Sequence, residues 1–323
     1  MSEVPLTPEF ALIRRHFTRP ASKALLGVGD DCALSRTDQA LAITTDMLVS
    51  GTHFLPDTDP RALGHKALAV NLSDLAAMGA EPLWFTLALA LPAVDDAWLS
   101  AFAEGMYALA DQHGIELIGG DTTRGPLTIS ITAAGTVDPA HALRRDGAQP
   151  GDDIWLSGAT GDAALGLAHL EQRVQLEAES AAYCLERLHR PQPRVALGLA
   201  LRGIATSAAD VSDGLLADLG HIAGRSGVQA DVRFDRLPRS AALRACTDQS
   251  IAAACLTGGG DDYELVFTAP PARRDAVEAA GAAAGVSVTR IGRIVRGTPR
   301  VRLLNAEGAA MPIERHGFDH FAS

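Results

Sequence analysis

In the segment ALAITTD, Leu41 and Ile43 fall on one face and Ala42, Thr44 and Asp46 on the other, the period-two alternation of a half-buried strand. Asp46 lies at the strand's exit, on the face of Thr44. From about Arg61 to Gly79, Leu68, Leu72 and Leu75 recur at helical spacing. Asn71 and Asp74, three residues apart, share a neighbouring face of that helix and can act together. PLWFTLALALP reads as a buried strand bracketed by Pro82 and Pro92, and a helix follows from about Asp95 to His113, ending at Gly114. IELIGGD is a short strand leading to Asp121, and LTISITAAGTV alternates again. Strands interleaved with two helices on one side predict a ferredoxin-like α/β layer rather than a long parallel sheet.

Charge, proline and glycine mix between Asp138 and Asp153, and a chain of 323 residues exceeds what one core usually serves. Two domains are expected, over residues 1–138 and 139–323. In the second, DDIWLSG is a strand, and a helical pattern runs from Asp162 to about His189, where RPQP (residues 190–193) breaks it. A further helix runs to about Gly203. TSAADVSDGL is then a short strand ending in aspartates before a helix over Leu215–Arg225. The glycines of SGATGDAALG do not fit GxGxxG, so Thr160 or Asp162 is read as a helix cap there.

Composition narrows the chemistry. A formal charge of −11 disfavours a general nucleic-acid binder, which needs a basic surface. No apolar run reaches the ~18 residues of a membrane span. MSEVPLTPEF lacks the basic-then-apolar pattern of an export signal, so a cytoplasmic protein is expected. Cys32, Cys184, Cys246 and Cys255 form no CxxC pair, which argues against a zinc site or a disulfide framework. Lysine occurs only at Lys23 and Lys66, leaving arginine as the main cation.

Aspartate adjoins glycine in GVGDDCA, GGDTTRG, DVSDGL and GGGDDYEL and precedes one by five residues in TTDMLVSGTHF and NLSDLAAMGA. One such motif is ordinary turn chemistry. Six point to hard divalent cations, because Mg²⁺ takes oxygen ligands and keeps waters and substrate phosphates in its shell. The chain has no GxxxxGK[ST] loop, no HRD or DFG and no GxSxG elbow. If the chain handles nucleotide phosphates, it must do so with metal ions, glycine-rich backbone and arginine.

In this order and spacing, and with GFDHF at residues 317–321, the motifs resemble the thiamine-monophosphate kinase family. That family belongs to the superfamily of aminoimidazole ribonucleotide synthetase, selenophosphate synthetase and the hydrogenase-maturation dehydratase. The resemblance implies ATP-dependent phosphorylation of thiamine monophosphate to thiamine diphosphate by direct in-line transfer with several Mg²⁺ ions. It implies metal positions at Asp30, Thr44, Thr45, Asp46, Asp74, Asp121 and Asp210, with a further ion at Asp213. ATP contacts are implied at Gly120, Asp121, Arg145 and Ser212, and substrate contacts at His53, Asp261 and Phe318. By the same resemblance, the first domain builds a β-barrel with its twin in a homodimer and the second is an α/β sandwich. The sequence departs from the family pattern at GGGDDYEL, where Asp261 replaces the usual glutamate. Another ATP-using member of the superfamily and a non-catalytic regulator that binds Mg²⁺-nucleotide or thiamine phosphate are the alternatives; product analysis separates them.

Overall fold

The computed structural model describes residues 8–28, 32–313 and 317. The chain divides into two compact units: residues 1–75 with 81–138, and residues 76–80 with 139–323.

The first unit contains α1 (Pro8–His16), β1 (Ala40–Val49), α2 (Pro60–Ala77), β2 (Glu81–Leu91), α3 (Asp96–His113), β3 (Glu116–Arg124) and β4 (Thr128–Val137). Its sheet has the order β1-β4-β2-β3, antiparallel except between β2 and β3. Local chemistry sets the helix ends. Asp95 caps α3 by accepting from Ala97 and Trp98 N–H, and Gly114 closes it in the left-handed conformation at φ 59°. α2 and α3 meet backbone to backbone: a Cβ on Gly64 would lie 2.0 Å from the Phe102 carbonyl oxygen, and one on Gly105 would lie 1.8 Å from that of Arg61. Phe85, Leu87, Leu89 and Leu91 of β2 are buried.

β1 is covered on the side opposite to Ile43 and Met47, where Leu48 is buried. Ile43 is 61% exposed and Met47 55%, whereas Thr44 and Asp46 face α2. Alternation separates the two faces of a strand but does not say which one the chain itself covers.

The His113 ring, at the end of α3, is partly buried, and its Nε2 has no hydrogen-bond partner among the described residues. Burial, and then the nearby His65, hold its pKa below the ordinary 6.5. The unfolded chain therefore binds this proton first, and stability falls as pH drops below about 6.5. His113→Leu should make Tm fall less between pH 7.5 and 5.5 than in the wild type, as thermal scans at the two pH values would check.

The second unit contains β5 (Asp153–Ser157), α4 (Asp162–Leu170), α5 (Ala178–His189), α6 (Val195–Ala200), β6 (Ser207–Val211), α7 (Leu215–Ser226), β7 (Gln229–Arg233), α8 (Ala241–Ala245), α9 (Gln249–Gly258), β8 (Glu264–Ala269), α10 (Arg274–Ala283), β9 (Val288–Val295) and β10 (Arg300–Leu304). The sheet order is β10-β7-β9-β5-β8-β6. β5, β6 and β8 are buried along their whole lengths, as strands covered on both faces must be. Leu215, Leu216, Leu219 and Ile222 of α7 join the main core with Ile154, Leu156, Val211 and Val266, while α10 packs on β9 and α6.

The helix expected from Asp162 to His189 is two helices. Gln172 takes φ 59°, and Val174 and Leu176 are buried in the connection between α4 and α5. The helix expected to reach Gly203 stops at Ala200. Residues 76–80 join the second unit through particular contacts: Arg202 Nε donates to the Gly79 carbonyl at 2.5 Å and Leu143 N–H to Met78 O at 3.1 Å.

Candidate active site

In the first unit, β1 and α2 bring Thr44, Asp46, Asn71 and Asp74 together. The Thr44 hydroxyl donates to Asp74 Oδ2, and the Asp46 backbone N–H donates to Asn71 Oδ1 at 3.2 Å. Asn71 is fully buried and its amide donates to the Ala67 carbonyl at 3.1 Å, which fixes its orientation. The result is a set of oxygen donors on a rigid strand–helix pair. Thr45 lies on the exposed face of β1, its hydroxyl paired with that of Thr132 at 2.8 Å.

His53 lies in the turn after β1. Its Nδ1 accepts the Val49 N–H at 3.0 Å, so the neutral ring carries its proton on Nε2. Gly120 of β3 has φ 153°, and a Cβ there would lie 1.9 Å from the Leu87 carbonyl oxygen, so only glycine lets the backbone approach β2 so closely. Asp121 follows it and is exposed. The register Asp46, Ile131, Leu87, Gly120 puts β3 three strand spacings from β1, roughly 14 Å. One chain does not bring Asp121 to Asp46. Asp30 and Phe318 lie outside the described residues.

Among the described residues no three carboxylate, imidazole or thiol side chains converge as a metal site. Asp46 and Asp74 nevertheless suit Mg²⁺, which commonly binds through one or two carboxylates plus water and substrate phosphate. All the donors present are hard oxygens.

In the second unit, DVSDGL and GGGDDYEL are zipped together. β6 pairs with β8 up to Val211 opposite Glu264, and the pairing continues as Tyr263 N–H to Val211 O and Asp261 N–H to Ser212 O, both 2.8 Å. Asp210 is buried at the end of β6. Gly260 makes the close approach possible, since a Cβ there would lie 2.4 Å from Ser212 O. Gly317 sits against the same turn, its Cβ position 3.0 Å from Asp213 O.

Sequence reasoning missed Asp218. Its Oδ2 accepts the backbone N–H groups of Ser212 and Asp213 at 3.1 Å and of Gly214 at 3.0 Å. Burial, and then Asp213, push its pKa up to about 7, while the Arg145 charge acts in the opposite direction. The available signal was a carboxylate in the first turn of α7, where helix N-termini favour one. Because Asp218 takes up these N–H groups, a phosphate at this turn would meet side chains rather than a backbone nest.

α4 begins differently from expectation. Neither Thr160 nor Asp162 caps it: Thr160 donates to Leu256 O, and Asp162 accepts from Ser240 and Tyr183. The Gly161 N–H is taken instead by the buried Asp262 carboxylate at 2.8 and 2.9 Å. Burial raises the pKa of both Asp162 and Asp262, the latter well above the usual carboxylate range. Beside them Glu264 accepts from Arg187 and Arg194.

The family model described as AIR synthase related protein, N-terminal domain, matches residues 29–137, and the C-terminal domain model matches residues 149–303. The thiamine-monophosphate kinase of Salmonella typhimurium is 48% identical over 98% of each chain. That of Escherichia coli strain K12 is 47% identical, also over 98% of each. The crystal structure of thiamine-monophosphate kinase from Stenotrophomonas maltophilia superposes with a TM-score of 0.83 at 50% identity, covering 94% of this chain and 95% of that one. AaThiL complexed with AMPPCP and TMP gives 0.78 at 30% identity, with 89% of each chain covered.

Proposed function

We propose, for a chain that belongs to the AIR synthase related family and within it to the thiamine-monophosphate kinases, that Thr44, Asp46 and Asp74 hold Mg²⁺ for phosphoryl transfer between two phosphate compounds. The reaction is the ATP-dependent phosphorylation of thiamine monophosphate to thiamine diphosphate. The observation that carries the metal reading is the Thr44–Asp74 contact beside Asp46, an oxygen-only donor set on rigid elements.

The acceptor is itself a phosphate with a second pKa near ~6, so it is largely a dianion at neutral pH and needs no strong base. Mutual repulsion of acceptor and ATP is the larger obstacle. Bound Mg²⁺ supplies the positive charge that offsets it. Asp46 and Asp74 gather the cations, Asn71 fixes the backbone at Asp46, and Gly120 and Asp121 contact ATP from β3, where Asp121 also serves as a metal position. In the second unit Ser212 and Arg145 meet the nucleotide, Asp210 and Asp213 add metal positions, and Asp261 faces thiamine monophosphate, as does His53 of the first unit. The His53 Nε2–H is the group suited to an anionic oxygen.

Two copies are needed to complete the first unit's set. β1 and β3 are the two edges of its sheet, and the exposed Ile43 and Met47 lie on β1. A second copy that sets its β3 beside β1 would cover them and bring its Asp121 towards Asp46. A homodimer in the cytoplasm is the state proposed; no helix among the described residues is long and apolar enough to cross a membrane.

The purified chain given ATP, thiamine monophosphate and Mg²⁺ should form thiamine diphosphate and ADP one for one. Chelation should stop turnover and added Mg²⁺ restore it. ATP consumed without thiamine diphosphate would refute the reading.

A further inference from the structure

The Asp261–Glu264 segment holds two non-glycine residues in the left-handed region, Asp261 at φ 67° and Tyr263 at φ 52°. A bulky L residue stays there only where its surroundings over-determine it. Here they do. The backbone N–H groups of Asp261 and Tyr263 are bonded to Ser212 and Val211 at 2.8 Å. Asp262 and Glu264 point into the interior, Asp262 onto the Gly161 N–H and Glu264 onto Arg187 at 2.8 Å and Arg194 at 2.7 Å. Arg187 also donates to the Asp262 carbonyl at 3.4 Å, tying the two anchors to each other.

With residues 262 and 264 anchored inward, the turn lays the side chain of Tyr263 against that of Asp261. The phenol donates to Asp261 Oδ1 at 3.1 Å. Tyr263 is only 8% exposed, so its ring is held by packing, and Asp261 is half-buried. The bond holds one carboxylate oxygen and so sets the orientation of the whole group. A carboxylate one methylene shorter than glutamate has little reach of its own, and its orientation decides what it can touch.

We propose that Tyr263 is a positioning residue for the acceptor site, fixing the Asp261 carboxylate in the orientation that meets thiamine monophosphate. This rests on the reading of Asp261 as a substrate-facing residue. Tyr263 acts through Asp261 and touches no reacting atom. Its effect is confined to binding of the acceptor.

Tyr263→Phe keeps the ring and removes only the hydroxyl. KM for thiamine monophosphate should rise at least about ten-fold, the order expected of one hydrogen bond to a charged group. KM for ATP and kcat should stay within about two-fold by the same estimate. In an Asp261→Ala background the same substitution should change nothing further, because the phenol then has no carboxylate to hold. A tyrosine that is merely structural would lower Tm and shift both KM values alike in either background, which overturns the proposal. If Asp261→Ala raises KM for thiamine monophosphate but Tyr263→Phe does not, the proposal fails and the reading of Asp261 stands. If Asp261→Ala leaves that KM unchanged, the reading fails and takes the proposal with it.

Discussion

Asp46→Asn should lower kcat/KM for thiamine monophosphate at least about 100-fold, or roughly 3 kcal/mol of transition-state stabilisation. The fold should survive. Asparagine has the same shape, and the contact that places this residue is made by its backbone N–H to Asn71 Oδ1, which the substitution leaves in place. Only the charge is lost, at one of the two carboxylates proposed to hold Mg²⁺. Asp46 is also only half-buried, so no uncompensated interior charge is created. If the residue acts by holding Mg²⁺, raising the Mg²⁺ concentration should recover part of the lost rate. Steady-state kinetics across a Mg²⁺ titration, with thermal unfolding measured on the same preparation, checks both halves. Turnover that stays intact would remove Asp46 from the metal set.

The β1–α2 half of this site is legible in the sequence because its logic is local. Period two places Thr44 and Asp46 on one face of a strand, and period 3.6 places Asn71 and Asp74 on one side of a helix. Their meeting needs only that the helix pack on its preceding strand. Other features depend on chain segments far away in sequence. The N–H at the start of α4 is satisfied by Asp262, about a hundred residues on, so the nearby Thr160 and Asp162 are released for other partners. Nothing in SGATGDAALG announces that. The break after α4 turns on Gln172 in a left-handed conformation, which a glutamine does not signal. The bare face of β1 is illegible for another reason: an apolar face shows that something covers it, and in this chain the sheet's own helices lie on the other side. Tyr263 was missed because it acts on a carboxylate in a turn whose shape exists only once DVSDGL and GGGDDYEL are paired, whereas Asp218 bonds locally to the turn before its own helix.

Glu264→Ala should cost about 3–5 kcal/mol of stability, the range for removing one partner of a buried ion pair. Glu264 is fully buried at the start of β8 and accepts from Ser157, Arg187 and Arg194. It packs so closely on Gly158 that a Cβ there would lie 2.3 Å from Oε1. Truncation leaves two largely buried guanidinium groups without their counter-ion. The neighbouring acids offer poor replacements, because burial favours the protonated forms of Asp162 and Asp262. A shift of the urea midpoint at unchanged m-value would measure the loss. Replacing Glu264, Arg187 and Arg194 together by apolar residues should restore much of the stability, since buried ionic clusters are often no better than packed hydrocarbon. If stability were the only contribution of this cluster, that triple variant would keep its KM for thiamine monophosphate. The Arg187 bond to the Asp262 carbonyl argues otherwise: the cluster also anchors the strained turn on which Asp261 and Tyr263 stand, so the variant should regain its fold and still bind the acceptor weakly.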